Sequence, residues 1–228
     1  MRIAKDKKRE ESTAYEKTET LIVSFEKEKK IFIANEIDEE ALPYFEVAID
    51  TVLKRSAKSR KIPLRVYIHS PGGTISTALG MYDTLRELDR KIPVWTIVKG
   101  NASSAALLLS QAGRTRLIYP NAFIQFHSAH IENTESYQRN AIMQDVLDIK
   151  KSADMFRRLE KELKILNTML YKILHERTGL SLADIRRYSM ESKTMTAQEA
   201  VEHGLFDGIA GSARKSADEK ALTAETVV

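Results

Sequence analysis

LRVYIHSPGGTISTALGMYDTLRELDRKIPVWTIVKGNASSAALLLSQAG, residues 64–113, is the stretch on which the fold turns. LRVYIH reads as a strand, and the Pro-Gly-Gly after it as a turn. From residue 74 to residue 90 Ile75, Leu79, Tyr82 and Leu85 recur on one helical face. VWTIVK is the next strand, and ASSAALLLSQAG a short apolar helix that Gly113 ends as a C-cap. Strands that alternate with helices require parallel crossovers, so an α/β fold is expected. The run ALLL is apolar on every side, which puts that helix in the middle of the domain.

Outward from this core, KIFIAN reads as a strand. Residues 37–59 read as a helix with Ala41, Phe45, Ile49 and Leu53 at helical spacing and Pro43 in the first turn. RLIY and AFIQFH are two strands around Pro120–Asn121. Residues 137–177 keep Ile142, Val146, Ile149, Ala153, Phe156, Leu163, Leu166, Leu170 and Ile173 at three-four spacing without Gly or Pro. A helix that long suggests a projecting, self-associating handle; two consecutive helices are the plainer alternative. Residues 181–188 and TAQEAVEHGL read as two short helices. Residues 1–29 are charge-rich and read as a flexible arm, with one short apolar patch at Leu21–Phe25 and room for one edge strand. Residues 30–210 form the expected domain, and the polar residues 211–228 a disordered tail.

A chain of 228 residues is long enough for one such domain, and its 43% hydrophobic content is ordinary for a soluble protein. No stretch nears the ~20 apolar residues of a membrane-spanning helix. The first twenty residues lack the apolar run of a secretory signal. Zero cysteines exclude a disulfide framework, a thiol nucleophile and a cysteine-held metal, and a cytoplasmic address follows. The net charge of +4 is small and scattered, with no aromatic-interleaved basic stripe, so nucleic acid is not an expected partner. The histidines form no metal-ligand spacing, and neither metal nor cofactor is expected.

Three places could carry chemistry. His69-Ser70-Pro71-Gly72-Gly73 follows a strand and opens a helix, and paired glycines there let a backbone N–H approach a ligand. Gly100-Asn101-Ala102-Ser103-Ser104-Ala105-Ala106 is a second strand-to-helix turn. A serine at the start of a buried helix can expose its hydroxyl there, with the next N–H directed at a forming oxyanion. The logic is that of a nucleophile elbow, although the G-x-S-x-G spacing is absent. For an arbitrary Ser-Ser, simple helix capping is the commoner role. His127 ends AFIQFH and shares a strand face with Phe123 and Gln125. A lone strand-end histidine is more often structural than catalytic.

The order SPGG, GNASSAALL, YPNAFIQFH, MTAQEAVEHGLFD resembles the proteolytic subunit of the Clp (caseinolytic) protease family, over about residues 30–210. The resemblance implies a crotonase-like (ββα) spiral, serine endopeptidase activity on polypeptides, stacked heptameric rings and an ATP-driven unfoldase partner. Carried over residue by residue, it puts the nucleophile at Ser104, the general base at His127, and the oxyanion-hole N–H groups at Gly73 and Ala105. It also shows departures. The family's catalytic aspartate falls on Ser192, leaving Ser192 or Glu191 as third-position candidates. The segment after His127 lacks the glycine-rich strand and carries an insertion. Arg65 stands where an aromatic residue helps to dock the ATPase, although Tyr67 is kept. The alternatives are a catalytically weakened ring or scaffold subunit, a crotonase-fold acyl-coenzyme A enzyme and a Ser-Lys peptidase.

Overall fold

The computed structural model describes residues 13–14, 20–25, 28–55, 62–129 and 146–211. Nine strands make one sheet, in the order β1 (Thr13–Ala14), β2 (Leu21–Phe25), β3 (Lys30–Ala34), β4 (Leu64–Ser70), β5 (Val94–Ser103), β6 (Thr115–Ile118) and β9 (Gly208–Ile209). Off this path β7 (Phe123–Gln125) pairs with β5, and β8 (Thr194–Thr196) pairs with β7. Strands β3 to β6 are parallel, as the alternation of strands and helices requires. Helices α1 (Ala41–Arg55), α2 (Ile75–Asp89) and α3 (Ala105–Ser110) supply the crossovers.

The core lies between these helices and one sheet face. Ile22, Ile31, Ile33, Val66, Ile68 and Val98 from the strands meet Phe45, Met81, Leu85 and Leu108 from the helices, all fully buried. Along β4 the intervening Arg65, Tyr67 and His69 point the other way, so only one face of this part of the sheet has a helical cover. Every residue of α3 is buried, as its all-round apolarity demands. The result is the mixed α/β architecture of the crotonase-like spiral.

Two sequence expectations change. The arm was allowed one edge strand, but β2 is an inner strand, paired along its whole length with β3 and at Val23 and Ser24 with β1, and Ile22 and Ser24 are completely buried. Residues 1–12 and 15–19 of that arm, 137–145 of the handle and 212–228 of the tail lie outside the described residues. The second change concerns β5, which was expected to stop at Lys99 but runs on through Ser103.

This extension sets up the site. β5 pairs with β6 through Trp95–Val98 and then with β7 through Asn101–Ser103, on the same edge. Between the two halves its register with β4 jumps, from Ile68↔Val98 to Ser70↔Ala102. The extra residues bend the strand out of the main sheet. Gly100 sits at the bend with φ +106, and a Cβ there would come within 2.4 Å of the His69 ring nitrogen Nδ1. Only glycine fits a histidine packed that closely.

Within the described residues the handle is one unbroken helix, α4 (Val146–Thr178). From Ala153 onward only Leu170 and Leu174 near its C-terminal end are buried, while Phe156, Ile165 and Met169 are exposed. Its base is clamped by arginines. Arg177 donates to the carbonyls of Gln111 and Gly113, and burial pushes its guanidinium pKa down. Arg116 in turn bonds the Arg177 carbonyl, Gln111 and both carboxylate oxygens of Asp207. Asp207 also takes the Arg116 backbone N–H at 2.7 Å. Replacing Asp207 with alanine leaves a nearly buried guanidinium short of its anion. We expect a loss of about 2–3 kcal/mol, below the full cost of a deeply buried pair because Asp207 is partly exposed. Urea unfolding measures it, and a change under 0.5 kcal/mol contradicts the clamp.

Candidate active site

Ser104 occupies the corner between β5 and α3 with φ 53 and ψ −124, a backbone conformation that non-glycine residues avoid. Such a corner costs roughly 1–3 kcal/mol and persists only where its surroundings impose it. The surroundings are visible. The Ser104 N–H donates to the Gln125 carbonyl at 3.0 Å, which carries the β5–β7 pairing one residue past the strand. Its carbonyl accepts from Leu107 and Leu108, opening α3. Below it lies Gly72, where a Cβ would fall 2.7 Å from the Ser104 Cβ and 3.1 Å from the Ala105 nitrogen. Gly72 is required by this close approach as much as by its own turn.

The two strand-to-helix turns are tied together. Asn101 donates its backbone N–H to the His69 ring and its side-chain amide to the Ser70 carbonyl. Ser70 accepts the Gly72 N–H, while the Gly72 carbonyl and Thr74 N–H bond to Ile37. Among the described residues, no turn or cap hydrogen bond takes up the N–H of Gly73 or of Ala105. Ala105 is the first residue of α3, where backbone N–H groups have no helical partner. Ser103, by contrast, is a paired residue of β5 with an ordinary strand neighbour in Gln125.

His127 lies two residues beyond Gln125, whose carbonyl holds Ser104. Both residues therefore follow the same end of the β5–β7 pairing. Ile124 and Phe126 are buried, whereas Phe123, Gln125 and His127 are at least partly exposed, as strand alternation requires. The His127 Nδ1 lies 2.9 Å from the carbonyl oxygen of Ser128. A carbonyl can only accept, so Nδ1 carries the proton and Nε2 is the basic nitrogen.

A family model described as Clp protease matches residues 12–213. The chain belongs to the Clp protease family. Two ATP-dependent Clp protease proteolytic subunits, from two strains of Dehalococcoides mccartyi, are each 33% identical to it over 185 residues, covering 80% of this chain and 82% of theirs.

Against this Clp-family background the third position stands out. The short helix before residues 191 and 192, α5 (Leu182–Met190), ends two residues later than its pattern suggested. Glu191 is its C-cap, and Ser192 follows with φ 49. The Ser192 N–H bonds the Ser189 carbonyl and the Lys193 N–H the Tyr188 carbonyl, the Schellman arrangement that usually calls for glycine. Beyond it β8 pairs antiparallel with β7, and the Phe126 N–H donates to the Lys193 carbonyl. Ser192 and His127 each adjoin that last bond, Ser192 just before Lys193 and His127 just after Phe126.

Sequence reading missed β8, because Thr-Met-Thr is too short to show a period, and it missed the residues that grip the chain after His127. The Ser128 hydroxyl lies 3.0 Å from the Tyr171 hydroxyl, and the Ala129 N–H donates to Asn167 Oδ1 at 2.9 Å. Both partners sit on α4, far along the chain, and nothing local marks them. The start of α6 (Ala197–Glu202) was legible, since Thr196 and Glu199 form the capping box their spacing announces. Among the described residues no helix is long and apolar enough to cross a membrane, and no group of three potential metal ligands occurs.

Proposed function

We propose that this chain is a serine endopeptidase that cleaves polypeptides through an acyl-enzyme on Ser104. The observation that carries this is the strained corner at Ser104, joined by its own N–H to the last residue of β7, two residues before His127. In the proposed reaction His127 Nε2 takes the Ser104 proton as Oγ attacks the scissile carbonyl, then hands it to the departing amine. The N–H groups of Gly73 and Ala105 hold the oxyanion. Water, again deprotonated by His127, releases the acyl group.

The chain is proposed to work as a self-assembled ring of the kind the family resemblance implies, in the cytoplasm. The exposed Phe156, Ile165 and Met169 on α4 support self-association. The relatives' names carry ATP dependence, and an unfoldase partner belongs to the same proposal. Its docking surface would differ in chemistry, because Lys30 lies over the Tyr67 ring and Arg65 reaches the Glu28 carbonyl.

A catalytically weakened ring subunit is the second reading, favoured by the absence of a carboxylate at position 192. A fluorophosphonate probe followed by peptide mapping separates the two. Labelling of Ser104, with cleavage of a small fluorogenic peptide, is the expected result; an unlabelled, correctly assembled protein means a scaffold. Sedimentation in the same experiment should show an oligomer that Leu163→Glu with Leu166→Glu dissociates, and a wild-type monomer at micromolar concentration rules out the ring.

A further inference from the structure

Past Phe126 the chain leaves the sheet, so His127 lacks a ladder to orient it. Its Nδ1–H is held by the carbonyl of the 128–129 peptide. The N–H of that same peptide, on Ala129, donates to Asn167 Oδ1. A trans peptide is planar, with its C=O and N–H pointing in opposite directions. Fixing the N–H from the α4 side therefore fixes the direction of the C=O on the imidazole side. Hydrogen bonds in such a chain also polarise one another, so the bond from Asn167 makes the Ser128 oxygen a stronger acceptor. Tyr171, one turn along the same helix face, holds the Ser128 side chain.

We propose that Asn167, assisted by Tyr171, is a positioning residue that orients and polarises His127 through the 128–129 peptide. This rests on the reading of His127 as the general base. The arrangement does what a triad carboxylate does, in weaker form. It fixes the tautomer that carries the proton on Nδ1, and it leaves that proton an oriented acceptor when Ser104 is deprotonated.

Two substitutions at one position give opposite signs. Asn167→Ala removes the acceptor while raising helix propensity, so lost activity cannot be blamed on a weakened helix. Fluorophosphonate acylation should slow about tenfold or more, a cost in keeping with small misplacements of catalytic groups. The acid limb of its pH profile should move to lower pH. Asn167→Asp puts a negative charge on the far side of the peptide and should move that limb to higher pH. We expect about half a unit, less than the one to three units a directly contacting charge gives. Tyr171→Phe should act in the direction of Asn167→Ala, but less.

Nitrogen NMR of the His127 ring reads the same tautomer and titration without turnover. A wild type that takes no label would sink the peptidase, yet a His127 titration that follows position 167 with these signs would still uphold the positioning role. Unchanged rate and titration in Asn167→Ala overturns it. So does a slower rate that comes with a lower melting temperature and an unmoved titration in both Asn167 variants.

Discussion

Ser104→Ala is expected to lose fluorophosphonate labelling and to lower peptide cleavage by at least 10⁴-fold, while Ser103→Ala keeps both within a few-fold of wild type. The size follows from removing the nucleophile of an acyl-transfer site, where loss of the serine alone costs as much as loss of the whole constellation. The contrast between the neighbours follows from backbone geometry. Ser103 ends a regular strand, and Ser104 alone turns the corner at positive φ. A third variant exposes the strain. Ser104→Gly relaxes the corner and should be more stable than Ser104→Ala by about 1 kcal/mol, although neither reacts. Loss of label in Ser103→Ala alone would move the nucleophile by one residue.

The second large effect is a gain. Ser192→Asp should raise turnover of a small fluorogenic peptide at least tenfold, within the ceiling of about 10⁴ that a triad carboxylate can contribute. The backbone accepts it, because aspartate tolerates the left-handed conformation Ser192 already has at φ 49. The bond from the Phe126 N–H to the Lys193 carbonyl brings positions 127 and 192 to the same end of the β7–β8 pair, and a carboxylate at 192 is expected to take the Nδ1–H from the Ser128 carbonyl. Glu191→Gln should change little, since Glu191 caps α5 from an exposed position. Steady-state assays on proteins of matched oligomeric state decide it. Abolition of turnover by Glu191→Gln, with no gain from Ser192→Asp, would assign the third role to Glu191.

How much of this was legible depended on the range of the signal. The βαβα core was readable from residues 64–113 because period and turn chemistry are local there. α3 was readable as a buried helix, but its start was misplaced by three residues. Gly100-Asn101-Ala102-Ser103 is a strand only because β7 lies beside it, and partners remote in sequence leave no local period. The apolar patch at Leu21–Phe25 allowed an edge strand, but its pairing on both sides, with β1 and β3, left no trace in five residues of alternation. Ser104 and His127 were singled out by motif order, yet neither the corner at Ser104 nor the helix stop at Ser192 could be foreseen, since serine carries no preference for positive φ. The grip of Asn167 and Tyr171 on the 128–129 peptide was invisible for the same reason as β8: it exists only in three dimensions.

The late closure of the sheet also bears on how the protein is made. Arg116 and Asp207 are 91 residues apart. At ~5–20 residues per second the ribosome needs roughly 5–20 s to go from one to the other. For most of that interval a nascent chain already carries both Ser104 and His127, but not β8, the α5 helix stop or the anchor of β9. The elbow is strained, and nothing yet compels it to form. A hydrolytic centre assembled from the last stretch of the domain stays inert while the polypeptide is still attached to the ribosome, surrounded by other unfolded chains that would be ready substrates.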